Sequence, residues 1–214
     1  FPGTFHGGLF YGFVVLFIGT VLATIDWEIT RPLLDRRLLA GTFYVGYEFA
    51  LDTFGFLFTV GLLLAIWRRY VQRPHHVIGA WDAVIWSLVV VDVTGFLVEG
   101  LRLAMAPVDW GTYSWVGAGV AGIVRLAPAS FVRDTVPVLH ASTWGVHAVA
   151  ALAFIAAIPY TNAVHLVVTA VNVTLQSVEP VPTGASLIPV DIDNAEFFGV
   201  GRLSELQWKQ RLGV

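Results

Sequence analysis

The chain has 214 residues, of which 57% are hydrophobic and 13% charged, whereas a typical soluble chain carries roughly 25% charged residues. A soluble domain of this length has too little interior to bury so much apolar surface, and a mean hydropathy of +0.74 indicates that lipid covers the excess. Twelve basic residues against fifteen acidic ones exclude a strongly basic nucleic-acid-binding protein. Because the sequence contains no cysteine, these residues form no disulfide, thiolate metal site or iron–sulfur cluster.

The first residue is Phe1 and the first basic residue is Arg31, which follows the first apolar run. A secretory signal needs basic residues before its apolar run, so the start of the chain does not fit one. We expect that residues preceding Phe1 are missing.

Four long apolar stretches follow one another along the chain, at residues 8–25, 47–67, 77–105 and 136–160. Each is near the ~20 residues that cross ~30 Å of hydrocarbon at 1.5 Å per residue. None alternates as a strand would, and a backbone in lipid must satisfy its own hydrogen bonds, so we predict helices. The fold class is therefore all-α, an integral membrane bundle of four transmembrane helices with a short soluble C-terminal tail.

The connections complete this outline. We predict a short interfacial helix at 115–126, and an apolar piece at 163–175 that either prolongs the fourth helix past Pro159 or lies at the interface. Residues 1–175 would form the membrane domain, and 176–214 a linker and tail with a short amphipathic helix at 204–212. The dense charge of Arg68, Arg69 and Arg73 favours a cytoplasmic loop, which places both chain ends in the cytoplasm.

Two histidines suggest a cofactor site. His147 and His165 are 18 residues apart, so on one continuous helix they share a face and lie ~27 Å apart along the axis. Neutral imidazoles near opposite membrane surfaces suit axial ligation of two stacked b-type haems. The alternative is that they make interhelical hydrogen bonds or lie at the headgroups.

A six-coordinate haem needs a ligand from a second helix, and His6 begins the first span. Its helix face continues through apolar side chains that could line a porphyrin: Leu9, Phe10, Phe13 and Phe17. The other face carries Gly8, Gly12 and Gly19. Small residues there allow close helix packing, which we favour, or make room for a macrocycle.

A carboxyl group lies in the middle of the third apolar run, at Asp92. A charge at membrane depth costs several kcal/mol, so this group must be neutral, paired or next to water. Glu99 follows on the same face, and Arg102 has the i,i+3 spacing for a pair with it. One interpretation is a proton path or quinone pocket. The other is an interhelical hydrogen bond together with an interfacial ion pair.

Four segments in chain order carry a family resemblance. They are HGGLFYGFVVLFIGT at 6–20, TGFLVEGLR at 94–102, WGVH with the later Pro159, His165 and Asn172 at 144–173, and FGV with LQWKQ at 198–210. Together they resemble the membrane part of bacterial oxidoreductases related to heterodisulfide reductase, and the gamma subunit of respiratory nitrate reductase, a cytochrome b. The last segment is similar to the one that leads into an iron–sulfur module.

The resemblance implies a set of ligands. His6 and His165 match the pair that holds the haem nearer the cytoplasm, and His147 matches one ligand of the outer haem. The second outer ligand would fall on Leu16, so the outer haem is absent, is five-coordinate or uses an unrelated ligand. His140 would hydrogen-bond a propionate or a quinone, or have no role. His75 and His76 would face water and headgroups, or contact a propionate or a docking partner.

The expected function follows from this resemblance. The chain would be a membrane-anchoring b-type cytochrome, with haem b as cofactor and no catalytic residue of its own. It would transfer electrons between membrane quinone and a cytoplasmic-side iron–sulfur oxidoreductase, in a prokaryotic cell (inner) membrane. The alternative is a haem-free anchor or assembly subunit of a larger respiratory or photosynthetic complex. A third interpretation, a transporter or channel around Asp92, lacks the inverted repeats expected of it.

Overall fold

The computed structural model describes residues 2–72 and 79–176, with side chains omitted at 2–5, 80, 173, 175 and 176. The described part contains eight α-helices and no strand. The helices are α1 (Pro2–Thr24), α2 (Arg31–Leu34), α3 (Gly41–Ile66), α4 (Ala80–Met105), α5 (Trp115–Val124), α6 (Ala129–Asp134), α7 (Val136–Ala157) and α8 (His165–Gln176). Turns of π-helix continue α1 to Thr30 and α3 to Val71.

Four helical segments are long and apolar enough to cross a membrane. They are His6–Leu34, Gly41–Val71, Trp81–Met105 and Val136–Tyr160. The prediction of an all-α membrane bundle with four spans is confirmed. The interfacial helix expected at 115–126 corresponds to α5.

The fourth span does not continue as one helix to His165. After α7 ends at Ala157, two 3₁₀ turns at 158–160 and 162–164 separate it from α8. Pro159 explains the interruption, since its ring cannot occupy the interior of an α-helix without loss of a backbone hydrogen bond. The prediction that His147 and His165 share one helix face, ~27 Å apart on a common axis, is therefore wrong.

The chain divides into two units, Phe1–His165 and Leu166–Val214. Within the second unit, the described residues 166–176 belong to α8. The predicted linker and tail helix lie outside the described residues, as do His75 and His76.

Glycines bring α1 and α3 close together in antiparallel order. Gly12 lies against Phe58, so that a Cβ built on Gly12 would come within 2.7 Å of the Phe58 Cβ. On α3, Gly61 lies against Leu9 in the same way, at 2.9 Å from its Cγ. The Tyr47 hydroxyl then donates a hydrogen bond of 2.9 Å to the Gly19 carbonyl. The packing role favoured for the α1 glycines is thus their role in the structure.

Contacts between α3, α4 and α7 give the bundle two ends. α3 and α4 are antiparallel, because Thr59 pairs with Asp92 and Glu48 pairs with Arg102. α7 packs on α4, where the His147 ring lies against Gly95. We call the end where α4 begins the Trp81 end, and the end where α4 finishes the Arg102 end. α1 runs parallel to α4, which places His6 at the Trp81 end.

The glycine contact between α1 and α3 leads to a stability prediction. We expect Gly12→Val to lower the free energy of unfolding by about 1–3 kcal/mol, because the added side chain overpacks the seam against Phe58. Gly46 is the control, since it lies in α3 with no atom within 4 Å of an added Cβ. Thermal denaturation in detergent should show a lower midpoint for Gly12→Val than for the wild type. The midpoint of Gly46→Ala should equal that of the wild type. Equal midpoints for both variants would contradict a tight seam.

Candidate functional site

His147 lies in the middle of α7 and is held by α4. Its Nδ1 is 3.0 Å from the Thr94 Oγ1. The Thr94 hydroxyl is only 2.6 Å from the Val90 carbonyl, to which it donates its single proton. With that proton donated to Val90, the Thr94 oxygen is left to accept, so the contact favours the His147 tautomer that has its proton on Nδ1. Gly95 leaves room for the ring, since an added Cβ would lie 3.3 Å from the His147 Cε1.

His165 is half-buried at the Trp81 end, where it begins α8. Its Nδ1 lies 2.6 Å from the Asn162 carbonyl oxygen, which can only accept. The Nδ1 of His165 therefore carries the proton. The ring also packs against Trp81, with 5.6 Å between the ring centroids. The 3₁₀ turn at 162–164 supplies the carbonyl, so the break in the fourth span is what orients this imidazole.

Both imidazoles thus have the same chemical character. Each has its Nδ1 within hydrogen-bonding distance of a protein oxygen, and in the tautomer that protonates Nδ1 the lone pair lies on Nε2. Histidines that bind metals show this arrangement, because a hydrogen bond to the second nitrogen sets the tautomer and the ring orientation. The residues present therefore fit a haem, whose iron His147 and His165 would hold through Nε2.

The remaining predicted ligands are less constrained. His6 is exposed at the same end of the bundle as His165, and within residues 2–72 and 79–176 no hydrogen bond or ring contact joins the two. His140 is half-buried near the start of α7, at the Arg102 end. Leu16 is half-buried on α1 and offers no metal-binding atom. No cluster of three or more metal-binding side chains is found in the described part of the chain.

Aromatic side chains line the predicted porphyrin face of α1. Phe13 stacks on Phe17 with 6.0 Å between the ring centroids. Phe13 also meets Phe154 of α7 edge to face, at 6.1 Å. Through Phe13, the α1 face that begins with His6 meets α7, the helix that carries His147, whereas Leu9 of the same face packs on Gly61 of α3.

The acidic residue in the third span has a partner on a different helix. Asp92 is 7% exposed and lies 2.7 Å from the Thr59 hydroxyl of α3. Glu99 forms a two-pronged ion pair with Arg102, with N–O distances of 2.8 and 2.7 Å. Asp92 therefore does not share a cluster with Glu99 and Arg102.

A larger polar cluster surrounds Arg102, and two of its members were missed by sequence reasoning. Glu48 of α3 lies 3.5 Å from the Arg102 guanidinium and accepts a 3.0 Å bond from Ser114. Asp52 accepts the backbone N–H groups of Val116 at 2.7 Å and Gly117 at 3.2 Å. The signal was present in the sequence, since two acidic residues four apart in an apolar span are rare without a function or a partner.

Asp52 explains how α5 is attached. The first N–H groups of a helix have no partner within it, and Asp52 supplies a carboxylate for two of them from α3. Ser114, just before α5, is fully buried at 0% exposure and bonds to Glu48. The carboxylates of α3 thus hold α5 across the Arg102 end of the bundle.

Two curated proteins are similar to the chain along nearly its whole length. The EtfAB:quinone oxidoreductase of Syntrophomonas wolfei subsp. wolfei is 28% identical over 228 residues, covering 99% of this chain and 30% of that protein. The probable iron–sulfur-binding oxidoreductase FadF of Bacillus subtilis is 23% identical over 216 residues, covering 99% and 29%. The chain therefore spans about a third of these relatives' length. No family model and no solved structure matches it.

The role of Asp52 can be tested by amide exchange. We expect Asp52→Ala to speed hydrogen exchange at Val116 and Gly117 by roughly tenfold or more, since each loses an acceptor, at a cost of about 1–3 kcal/mol. Asp52→Asn keeps one acceptor oxygen and should have a smaller effect. Asp109→Ala removes an exposed carboxylate from the neighbouring loop and is the control. Unchanged exchange in Asp52→Ala would show that other contacts hold α5.

Proposed function

We propose that this chain is the membrane domain of a quinone-linked oxidoreductase and binds haem b. It would transfer electrons between membrane quinone and an iron–sulfur module or protein on the cytoplasmic side. The observation that carries the proposal is that His147 and His165 each place Nδ1 within hydrogen-bonding distance of a protein oxygen, a contact that suits the tautomer with its lone pair on Nε2. The names of the two relatives support the quinone and iron–sulfur parts of the proposal.

The protein residues have separable roles in such a site. His165 and His6, which lie at the same end of the bundle, would bind one iron. His147 would bind a second, for which Leu16 offers no opposite ligand. Thr94 and the Asn162 carbonyl orient the rings and hold their protons on Nδ1. A b-type haem supplies reversible one-electron chemistry at its iron.

The surroundings of the histidines would set the redox potential. Phe13 and Phe154 make the contact between α1 and α7 apolar, and low polarity is one of the means by which a protein tunes a haem. His140 would bond a propionate or a quinone at the Arg102 end. Asp92, Glu99 and Arg102 are the candidates for proton or quinone contacts in the α3–α4 interface.

The partners follow from composition. These 214 residues contain no cysteine, so any iron–sulfur cluster would be held by other residues of the same protein or by another subunit. We propose a prokaryotic cell membrane as the location, with the region after residue 176 in the cytoplasm. The activity of the complete protein remains part of this proposal, because the relatives extend far beyond the matched region.

An optical spectrum of the purified protein tests the proposal. We expect b-type bands in the reduced-minus-oxidised spectrum, and a lower haem-to-protein ratio in His165→Ala, which removes one axial nitrogen. His140→Ala should lower the ratio less than His165→Ala does, since His140 is assigned no iron. A protein without b-type bands would instead support the haem-free anchor. Full haem retention in His165→Ala would reject the ligand assignment.

The hydrogen bond from His147 to Thr94 gives a second test. Thr94→Val has a similar shape but no acceptor for the Nδ1 proton, and loss of such a partner typically weakens metal binding by about 10–100-fold. We expect haem bound through His147 to dissociate more readily or to change its potential, as measured by haem titration and redox potentiometry. Thr94→Ser should restore the wild-type values. Identical values for Thr94→Val would show that the hydroxyl does not support the ligand.

A further inference from the structure

Asp92 is a buried acid whose single hydrogen-bonding partner among the described residues is a neutral hydroxyl. It lies at the centre of α4, 7% exposed, and Thr59 of α3 is its hydrogen-bonding partner at 2.7 Å. None of the ion pairs found within residues 2–72 and 79–176 includes it. An ionised carboxylate at membrane depth, without a cation, costs several kcal/mol. Among the described residues, Asp92 therefore lacks a cation that would stabilise a negative charge at this depth.

The hydrogen-bond count at Thr59 indicates where a proton is placed. The Thr59 Oγ1 lies 2.7 Å from the Asp92 Oδ2 and 3.0 Å from the Gly55 carbonyl. A hydroxyl has one proton and cannot donate to both oxygens. If Thr59 donates to Gly55, as threonine commonly does within a helix, the proton between Thr59 and Asp92 must come from Asp92.

We propose that Asp92 is a proton-binding site in the bundle interior: a neutral carboxylic acid that donates to Thr59, while Thr59 donates to the Gly55 carbonyl. Each oxygen in this chain of two hydrogen bonds then has one proton toward it. The inference deepens the proton-contact role that the proposed function gives Asp92, but it makes no use of what His147 and His165 bind.

Asp52 is a matched contrast in the same interface. It is 5% exposed, comparable to Asp92, but both of its carboxylate oxygens accept backbone N–H groups, from Val116 and Gly117. Hydrogen bonds of this kind favour the ionised form of a carboxylate. The two buried aspartates therefore differ in charge, because one faces donors alone and the other faces a hydroxyl that already has an acceptor.

Phe96 separates this proton site from the polar cluster at the Arg102 end. The positions of Glu48, Asp52, Gly55 and Thr59 repeat at helical spacing and share one face of α3. Between the acids and Thr59, the Phe96 ring of α4 lies on Gly55, where an added Cβ would be 2.9 Å from the Phe96 Cζ. The polar face of α3 is thus interrupted by a phenyl ring, which seals Asp92 from the carboxylates of the cluster.

Infrared spectroscopy of the full chain in lipid vesicles at neutral pH tests the proton site. We expect the wild-type minus Asp92→Asn difference spectrum to contain the C=O stretching band of a protonated carboxylic acid. Asparagine keeps the shape and can donate to Thr59, so this variant should fold. Thr59→Val should keep the band but shift it to higher frequency, because the acid loses its acceptor. Asp52→Asn should remove carboxylate bands instead.

The difference spectrum distinguishes a neutral Asp92 from an ionised one. A difference spectrum in which Asp92→Asn removes carboxylate bands, with no protonated band, would overturn the proposal. The result is independent of haem content, so a protein without haem could still contain the neutral acid, and a haem protein could lack it.

The same band reports on the seal. When the vesicles are transferred to D₂O, exchange of the Asp92 proton shifts the band, and we expect this shift to be several-fold faster in Phe96→Ala than in the wild type. Phe56→Ala, which truncates an exposed phenylalanine of α3, is the control. Equal exchange rates in the wild type and Phe96→Ala would show that Phe96 does not seal Asp92. The protonation of Asp92 is decided separately, by the difference spectrum.

Discussion

A polar side chain in an apolar solvent must find its partner within the protein, and this requirement organises the bundle. Thr59 reaches Asp92, Thr94 reaches His147, and Tyr47 reaches the carbonyl of Gly19. Each of these bonds joins two different spans. Because lipid offers no competing hydrogen bond, the polar residues fix which helix faces meet, while glycines fix how closely they approach. The candidate site results from the same requirement, since the bond that orients His147 also attaches α7 to α4.

The spans could be predicted from the sequence because their cause is local. Length and hydropathy decide whether a segment crosses a bilayer, and both are properties of a window of residues. The break before His165 is different. Pro159 lies between the two histidines and is a visible signal that their helical register can break, but the sequence does not give the two 3₁₀ turns that follow α7. Helical spacing alone therefore joined two histidines that belong to separate helices.

The candidate site could be predicted only in part, because only some of its residues have a signal in the sequence. His147, His165 and Asp92 were recognisable because such residues are rare in apolar spans. Their partners Thr94, Thr59 and the Asn162 carbonyl were not, since threonine is common in membrane helices and a backbone carbonyl has no sequence signature. Glu48 and Asp52 lie near the start of a span, where acidic residues also occur as interfacial groups. Their four-residue spacing is a signal in the sequence, but their roles become visible only through the contacts with α4 and α5.

The interruption between α7 and α8 has a consequence for how the two imidazoles can change during evolution. On an unbroken helix, one inserted residue would turn everything beyond it by about 100°. Here the orientation of His165 is set locally by the Asn162 carbonyl, and that of His147 by a neighbouring helix. The two rings are therefore oriented independently of each other. A lineage could redirect one imidazole without realigning the other.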